Sequence, residues 1–396
     1  MLKYSAAALL LLAPASVAQT SQFSFHGLLS TRGIYVKSQP SWTTGGIGRF
    51  DVGAKNPDDH DTVNVDVAQL GFDWTPITWL TVHADGIARR EPSGTGGRRA
   101  GIVQAYADVG NDTLRLRAGS FWLPTSRENT ETMWTSPYTI TYSALNSWIA
   151  QEVRPVGVDL QFSPGFYVSA GVTAFRGNDT MGTELAARGW TFGNRLSVYN
   201  EHLPTPDPTE KAMPIGRDLD GKNGYAERIR IQLPERAILQ LTHVDNRAEL
   251  VPELHGQTPW LTHFNIAGGQ IGTTSPTTIA AEWMNGWTEL AFPGGTFKMD
   301  FDTAYVLVSH KSGADRWTIR AERFFTRDHA RSPFAFDTSR EHGHAFTVAW
   351  FREPSKRLRT GIEYSRANGD RPGAPSMGFD PKSGGSTITA EVRYGF

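Results

Sequence analysis

Apolar and polar residues alternate along most of this chain. In "TLRLRAGSF", Leu114, Leu116 and Ala118 share one parity while Arg115 and Arg117 share the other. "ERIRIQL" sets Ile229, Ile231 and Leu233 against Arg228, Arg230 and Gln232. "RWTIRAERF" opposes Trp317, Ile319 and Ala321 to Thr318, Arg320 and Glu322, and "RLRTGIEYS" opposes Leu358, Ile362 and Tyr364 to Arg359 and Glu363. The last residues, "STITAEVRYGF", put Ile388, Ala390, Val392, Tyr394 and Phe396 on one side. A period of two predicts strands with one apolar face. The segments run to about ten residues, the length of a tilted membrane-crossing strand, against five or six in ordinary sheets.

Such strands suit two architectures. A soluble sheet turns its apolar face inward, whereas a transmembrane barrel turns it to lipid and lines a wet lumen with the polar face. Aromatic residues edge the apolar faces (Phe23, Phe25, Trp74, Trp79, Trp317, Trp350, Tyr364, Tyr394, Phe396), as the girdles of a barrel require. No linker, charge block or composition shift divides the 396 residues, which favours one barrel over several sandwiches. The expected fold is therefore all-β: a transmembrane antiparallel up-and-down β-barrel occupying residues 19–396 as a single domain.

The N-terminus adds a compartment. Lys3, the apolar run Ala6 to Ala13 and the small residues Ser16-Val17-Ala18 form the pattern of a secretory signal peptide, residues 1–18, cleaved after Ala18. That run is far short of the roughly 20 residues of a spanning helix. Cysteine is absent, so no disulfide holds the exported chain. With 39 Lys and Arg against 40 Asp and Glu there is no basic footprint for nucleic acid.

Turns give the strand count. Short connections are expected at Pro76-Ile77, Gly110-Asn111, Pro164-Gly165, Pro234-Glu235, Thr273 to Pro276, Ser312 to Ala314 and Pro354-Ser355. Longer polar segments alternate with them, chiefly 39–61, 124–152, 177–223 and 369–385. Seven turns and eight loops make 16 strands with both ends on the side of the turns; reading "RGWTFGNRLSVYN" as two further strands would make 18. Near Ala68-Gln69 the alternation slips, from Val63, Val65 and Val67 to Leu70, Phe72 and Trp74, which predicts a bulge.

Sixteen strands enclose more space than side chains fill, so a water-filled channel is expected. The lining residues would be Arg115, Arg117, Arg228, Arg230, Arg320, Glu322, Arg359 and Glu363, with further acids including Asp66, Asp85, Asp108, Asp159, Asp300, Asp302 and Glu391. An arginine patch facing carboxylates across the pore would draw anions. The segment 124–152 is too aromatic for an exposed loop and is expected to fold into the lumen as a constriction. It and its flanks offer Arg127, Glu128, Trp134, Tyr142, Trp148 and Arg154.

Other chemistry is thinner. "DLDGKNGYAERI" starts like a calcium loop at Asp218 and Asp220 but has Asn223 and Ile229 where glycine and glutamate are required. Asp58, Asp59 and Asp61 are a solvated acidic loop, and His342 and His344 lack further ligands nearby. Ser143 and Ser147 have no histidine on the same stretch to make a nucleophile pair, so no catalytic residue is assigned. No cofactor or metal is expected.

A signal peptide, alternating strands throughout and an aromatic last residue (Tyr394-Gly395-Phe396) together resemble Gram-negative outer-membrane porins. "GSFWLPTSRENTETMW" followed by "EVRPVGVDL" is similar to the constriction-loop region of porins of the phosphate-selective kind. The resemblance implies passive diffusion of small hydrophilic solutes through the outer membrane and contact with its lipid and lipopolysaccharide. It also implies assembly as a homotrimer, with Tyr394 and Phe396 as the signal read by the barrel-assembly machinery. Anion preference follows from the arginines. A sugar or oligosaccharide channel is the alternative, and an outer-membrane lipid hydrolase or a closed structural barrel the second alternative.

Overall fold

The computed structural model describes residues 21–54, 59–206, 215–234, 236–329 and 339–396, and among them the alternating segments form sixteen strands. They begin with β1 (Gln22–Lys37), β2 (His60–Ile77), β3 (Leu80–Arg90), β4 (Ala100–Gly110), β5 (Leu114–Ser120) and β6 (Val156–Phe162). Next come β7 (Val168–Arg176), β8 (Gly224–Leu233), β9 (Ala237–Asp245), β10 (Trp260–Ile271) and β11 (Thr277–Phe292). The last are β12 (Gly295–Ser312), β13 (Asp315–Asp328), β14 (Glu341–Arg352), β15 (Leu358–Asp370) and β16 (Lys382–Gly395). Each pairs antiparallel with its sequence neighbours, and β1 pairs with β16, so the sheet closes and has no edge.

Short turns and both ends of the barrel strands lie at one rim; the loops rise from the other. "RGWTFGNRLSVYN" belongs to a loop, so sixteen strands form and not eighteen. The expected signal peptide 1–18, Asp58 of the acidic segment and Glu235 of one turn lie outside the described residues.

The outer face is apolar on the half nearer the turns. Phe23, Phe25, Leu70, Leu114, Leu239, Val306, Ile319 and Val392 all project outward and are exposed on the isolated chain, as a lipid-facing surface is. Nearer the loops the same parity turns polar, with His263 and Asn265 on β10 and Arg323 and Arg327 on β13. The inner face carries the buried residues. Its loop-side half is lined by Val36, Val65, Ile87, Phe264, Phe301 and Phe324, which pack with residues of the in-folded loops into one apolar core.

That internal core corrects two readings. β2 has no bulge at Ala68-Gln69, since its register with β1 runs unbroken from Thr75 to His60. Val65 faces the core with Val63 and Val67 against it, while Leu70 and Phe72 face outward. The apolar set switches from lumen to lipid because the lumen beside β2 holds protein rather than water. The register shifts that do occur lie between Trp74 and Ile77 and between Asp85 and Gly86. For the same reason of parity, Asp66, Asp300 and Asp302 point outward rather than into the lumen, where Asp66 meets Arg90 at 2.5 Å and Asp302 accepts from Trp283 Nε1 at 2.5 Å.

Candidate functional site

The loop between β5 and β6, residues 121–155, lies inside the barrel, with only Pro124, Thr130 and Glu131 exposed among its described side chains. It contains the helix α1 (Ala144–Glu152), capped by Ser143, whose Oγ accepts from Asn146 N at 3.2 Å. The unpaired N–H groups of the first turn attract carboxylates. Glu128 accepts from Ser143 N at 2.9 Å and Asn146 Nδ2 at 3.0 Å, and Glu322 accepts from Ala144 N at 2.9 Å.

Arg320 lies between those two acids. It donates to Glu128, to Glu322 at 2.7 Å and to the Thr141 carbonyl at 2.7 Å. On β15, Glu363 takes the backbone N–H of Ile140 at 2.5 Å and of Thr141 at 2.8 Å. Arg359 donates to the Ser136 carbonyl at 3.0 Å and to Glu391 at 2.9 Å. Four of the charged wall residues (Arg320, Glu322, Arg359 and Glu363) thus fasten the loop to β13 and β15. Each is under a tenth exposed, so they are anchors in a dry interior rather than charges in open water.

The remaining arginines sit nearer the turns. Arg117 makes a two-pronged pair with Asp108 at 2.7 and 2.8 Å and covers the Tyr106 ring at 3.9 Å. Arg228 reaches across β7 to Asp159 at 2.8 and 2.9 Å, over Gly171, where a Cβ would come within 2.4 Å of the guanidinium. Arg115 donates to Gln161 at 2.8 Å and Arg230 to Gln232 at 2.9 Å. The carboxylates that Arg117 and Arg228 meet stand on the same stretch of wall, one or two strands away, not across the lumen.

Within the loop, Trp134 stacks on Trp122 at 4.8 Å and meets Tyr142 edge-on at 5.6 Å. Trp148 packs against Phe264 at 5.2 Å and donates to Glu152 at 2.5 Å. Arg127 donates to Gln240 at 2.9 Å. Arg154 lies over Trp122 at 4.8 Å, and burial lowers its guanidinium to about 10. Ser143 and Ser147 are fully buried, the first as the cap of α1 and the second bonding the Gly193 carbonyl at 3.0 Å.

A second loop shares the lumen. Residues 177–198 are almost wholly buried and include α2 (Thr183–Arg188), whose Glu184 and Leu185 N–H groups donate to Glu152 at 2.9 and 3.2 Å. A third segment, around Arg49 and Phe50, bridges to Phe192, and Arg49 pairs with the buried Glu341. The three loops interlock.

Two kinds of space remain. At the turn rim a cavity of about 830 Å³ is bounded by Tyr106, Arg117, Arg127, Trp134 and Arg230 among others. At the loop rim one of about 440 Å³ is bounded by Asp51, Asp61, Asn64 and Thr95. Below that outer space, sharing Asp51 and Thr95 with it, is a gap of about 20 Å³ against β1–β3, room for about one water.

The gap is lined by Arg32, Arg89, Arg195, Asp51 and Glu91. Arg195 pairs with Glu91 at 3.0 Å and Glu201 at 2.8 Å, while Arg32 donates to Asn194. Burial raises the Asp51 carboxyl, against the pull of Arg32. Arg32 Nε, Arg89 Nε and Nη1 and Arg195 Nη1 are buried without an acceptor. Sequence reading missed this group. Arg32 and Arg89 do sit on the inward parity of their strands, but Asp51, Glu91 and Arg195 come from three separate loops.

At the seam, Phe396 N and O bond Gly27 O and N at 3.1 and 3.0 Å. The Phe396 ring lies on the outward side of Gly27, where a Cβ would come within 2.1 Å of it, and beside Tyr394 at 6.3 Å.

By sequence, no family model and no curated relative matches the chain. By structure it is similar to the outer-membrane channel DcaP of Acinetobacter baumannii, with TM-score 0.61 and 13% identity over 97% of this chain and 100% of that one. It is also similar to the anion-selective porin from Comamonas acidovorans, with TM-score 0.58 and 10% identity over 95% and 100%. OmpT of Vibrio cholerae, folded in vitro and solved in a trimer form, gives 0.53 and 11% over 96% and 100%. The fold is that of outer-membrane porins.

Proposed function

We propose that the protein is an outer-membrane porin passing small hydrophilic solutes without energy input, with a preference for anions. The observation that carries this reading is a closed barrel, apolar outside, with cavities toward opposite rims and an arginine-rich gap beneath the one at the loop rim. The route runs along the inner wall of β1–β3. Guanidinium N–H groups without acceptors at Arg32, Arg89 and Arg195 would meet a passing carboxylate or phosphate with charge-assisted bonds. The turns and both barrel ends face the periplasm and the loops face lipopolysaccharide. Assembly is read from Tyr394 and Phe396, and the barrels form trimers, as the trimer form of OmpT does.

A neck that holds about one water also favours a second reading, a barrel closed until a loop shifts. Planar-bilayer recording separates the two. Steady conductance with reversal potentials on the anion side supports the channel, and silence under all voltages supports the closed barrel.

A further inference from the structure

The cavity at the turn rim contains a cluster that the constriction does not use. His26 on β1, Asp73 on β2 and His83 on β3 all point inward and line it. Register brings them together: Asp73 is directly opposite His83, and His26 is the diagonal neighbour of Asp73 across the β1–β2 pair. One ligand atom from each lies within 4.8 Å of the others. We propose that His26, Asp73 and His83 bind a divalent transition-metal ion, of the zinc, copper or nickel class, on the lumen wall.

His83 stands between two carboxylates, one at each ring nitrogen. Its Nε2 is 3.3 Å from Asp85 Oδ2, a carboxylate 2% exposed and also held by Gln104 Nε2 at 3.1 Å. In the tautomer that gives its Nε2 proton to Asp85, the Nδ1 lone pair turns toward Asp73 Oδ1, 2.7 Å away, and is available to a metal. A proton holds this pair at 2.7 Å, and a tetrahedral ion with bonds near 2.0 Å would spread it to about 3.3 Å. The carboxylate–imidazole pair behind a metal position is the usual outer support of a histidine ligand.

His26 separates a metal from a proton. Its Nδ1 stands 3.5 Å from Asp73 Oδ2, long for a hydrogen bond but close to the ~3.3 Å between two ligands of a tetrahedral ion with bonds near 2.0 Å. Its other nitrogen, Nε2, is buried against Gly71 and has no partner. A bridging proton would employ only His83 and Asp73, with His26 stacked on the His83 ring at 5.6 Å. Two imidazoles and one carboxylate, with the open side of the cavity for water, suit zinc, copper or nickel rather than calcium or magnesium, which take oxygen ligands.

Copper(II) titration of untagged protein folded in detergent, followed by electron paramagnetic resonance, tests the site. One ion per chain should show splitting from two imidazole nitrogens. His26→Gln and Asp73→Asn should each weaken that site at least tenfold, and Asp85→Asn by roughly 10- to 100-fold. His263→Gln, on the outward face, should leave it unchanged. Heat-modifiable gel mobility identifies folded barrel in every variant, and His26→Gln alone suffices where the others fail to fold. An unchanged copper affinity in folded His26→Gln, or loss of the signal in His263→Gln, overturns the proposal.

Discussion

Glu128 ties the lumen loop to itself and, through Arg320, to the barrel wall. It is fully buried and accepts from Ser143 N at 2.9 Å, Asn146 Nδ2 at 3.0 Å, Thr139 Oγ1 at 3.0 Å and Arg320. Glu128→Ala removes all four and leaves Arg320 with Glu322 as its one remaining acid in contact. Breaking a buried pair from one side costs about 3–5 kcal/mol. Because Glu322 still compensates Arg320, the lower end applies, about 3 kcal/mol. The cost falls on the loop and not on the strand ladder, which Glu128 does not touch. At 1.4 kcal/mol per factor of ten, the undocked state of α1 should become roughly 100-fold more populated. Amide hydrogen exchange of residues 139–147 should speed up accordingly, while the strands keep their protection and the barrel its heat-modifiable mobility. Unchanged exchange at Ser143 and Asn146 would refute the idea that this carboxylate holds the loop.

Three further outcomes follow from particular residues. Asp179, in the loop after β7, has its carboxyl raised to about 6 by burial above all and by the nearby Asp220 and Asp218, against the N–H bonds from Leu219 and Asp220. A raised acid binds its proton more tightly in the folded loop, so stability is present at low pH and falls as pH rises from about 4 to about 6, by at most roughly 3 kcal/mol. Exchange of amides 178–181, corrected for intrinsic rate, should be slower at pH 5 than at pH 7.5 in the wild type and equal in Asp179→Asn; equality in both sinks the claim. Phe396→Asp should cost the refolded barrel only about 1 kcal/mol from the lost cover of Gly27, yet lower insertion in cells severalfold, and an unaltered cellular yield would remove the assembly role. A cysteine between 371 and 381 should be labelled on intact cells and one at Ser355 should not; the reverse pattern inverts the barrel.

The barrel was legible because lipid contact and antiparallel pairing both act with a period of two. Ile229, Ile319 and Val392 declare their side without any knowledge of the interior. What failed to show was the content of the lumen. With a wet lumen expected, Val63, Val65 and Val67 read as a displaced lipid face, and only the loops packed against them explain an apolar inner wall. Arg320, Glu322, Arg359 and Glu363 were found as inward charges, but their partners are backbone N–H and carbonyl groups of the 136–144 segment. Backbone partners leave no trace in side-chain patterning. The neck is harder still: Arg195 lies 163 positions from Arg32, in a segment whose alternation resembles a strand yet forms none.

Reversal potential across a bilayer under a potassium chloride gradient, wild type against Arg32→Gln, tests the central claim most directly. Arg32 lines the neck and leaves its Nε without an acceptor, so the substitution removes charge from the proposed path without breaking an ion pair. In a conducting state that admits water to the gap, one charge is worth about 1 kcal/mol, so the anion-to-cation permeability ratio should fall roughly fivefold, and further at low salt. A wild-type barrel that conducts with no anion preference, or a reversal potential that stays fixed in Arg32→Gln, contradicts an arginine neck as the selective element.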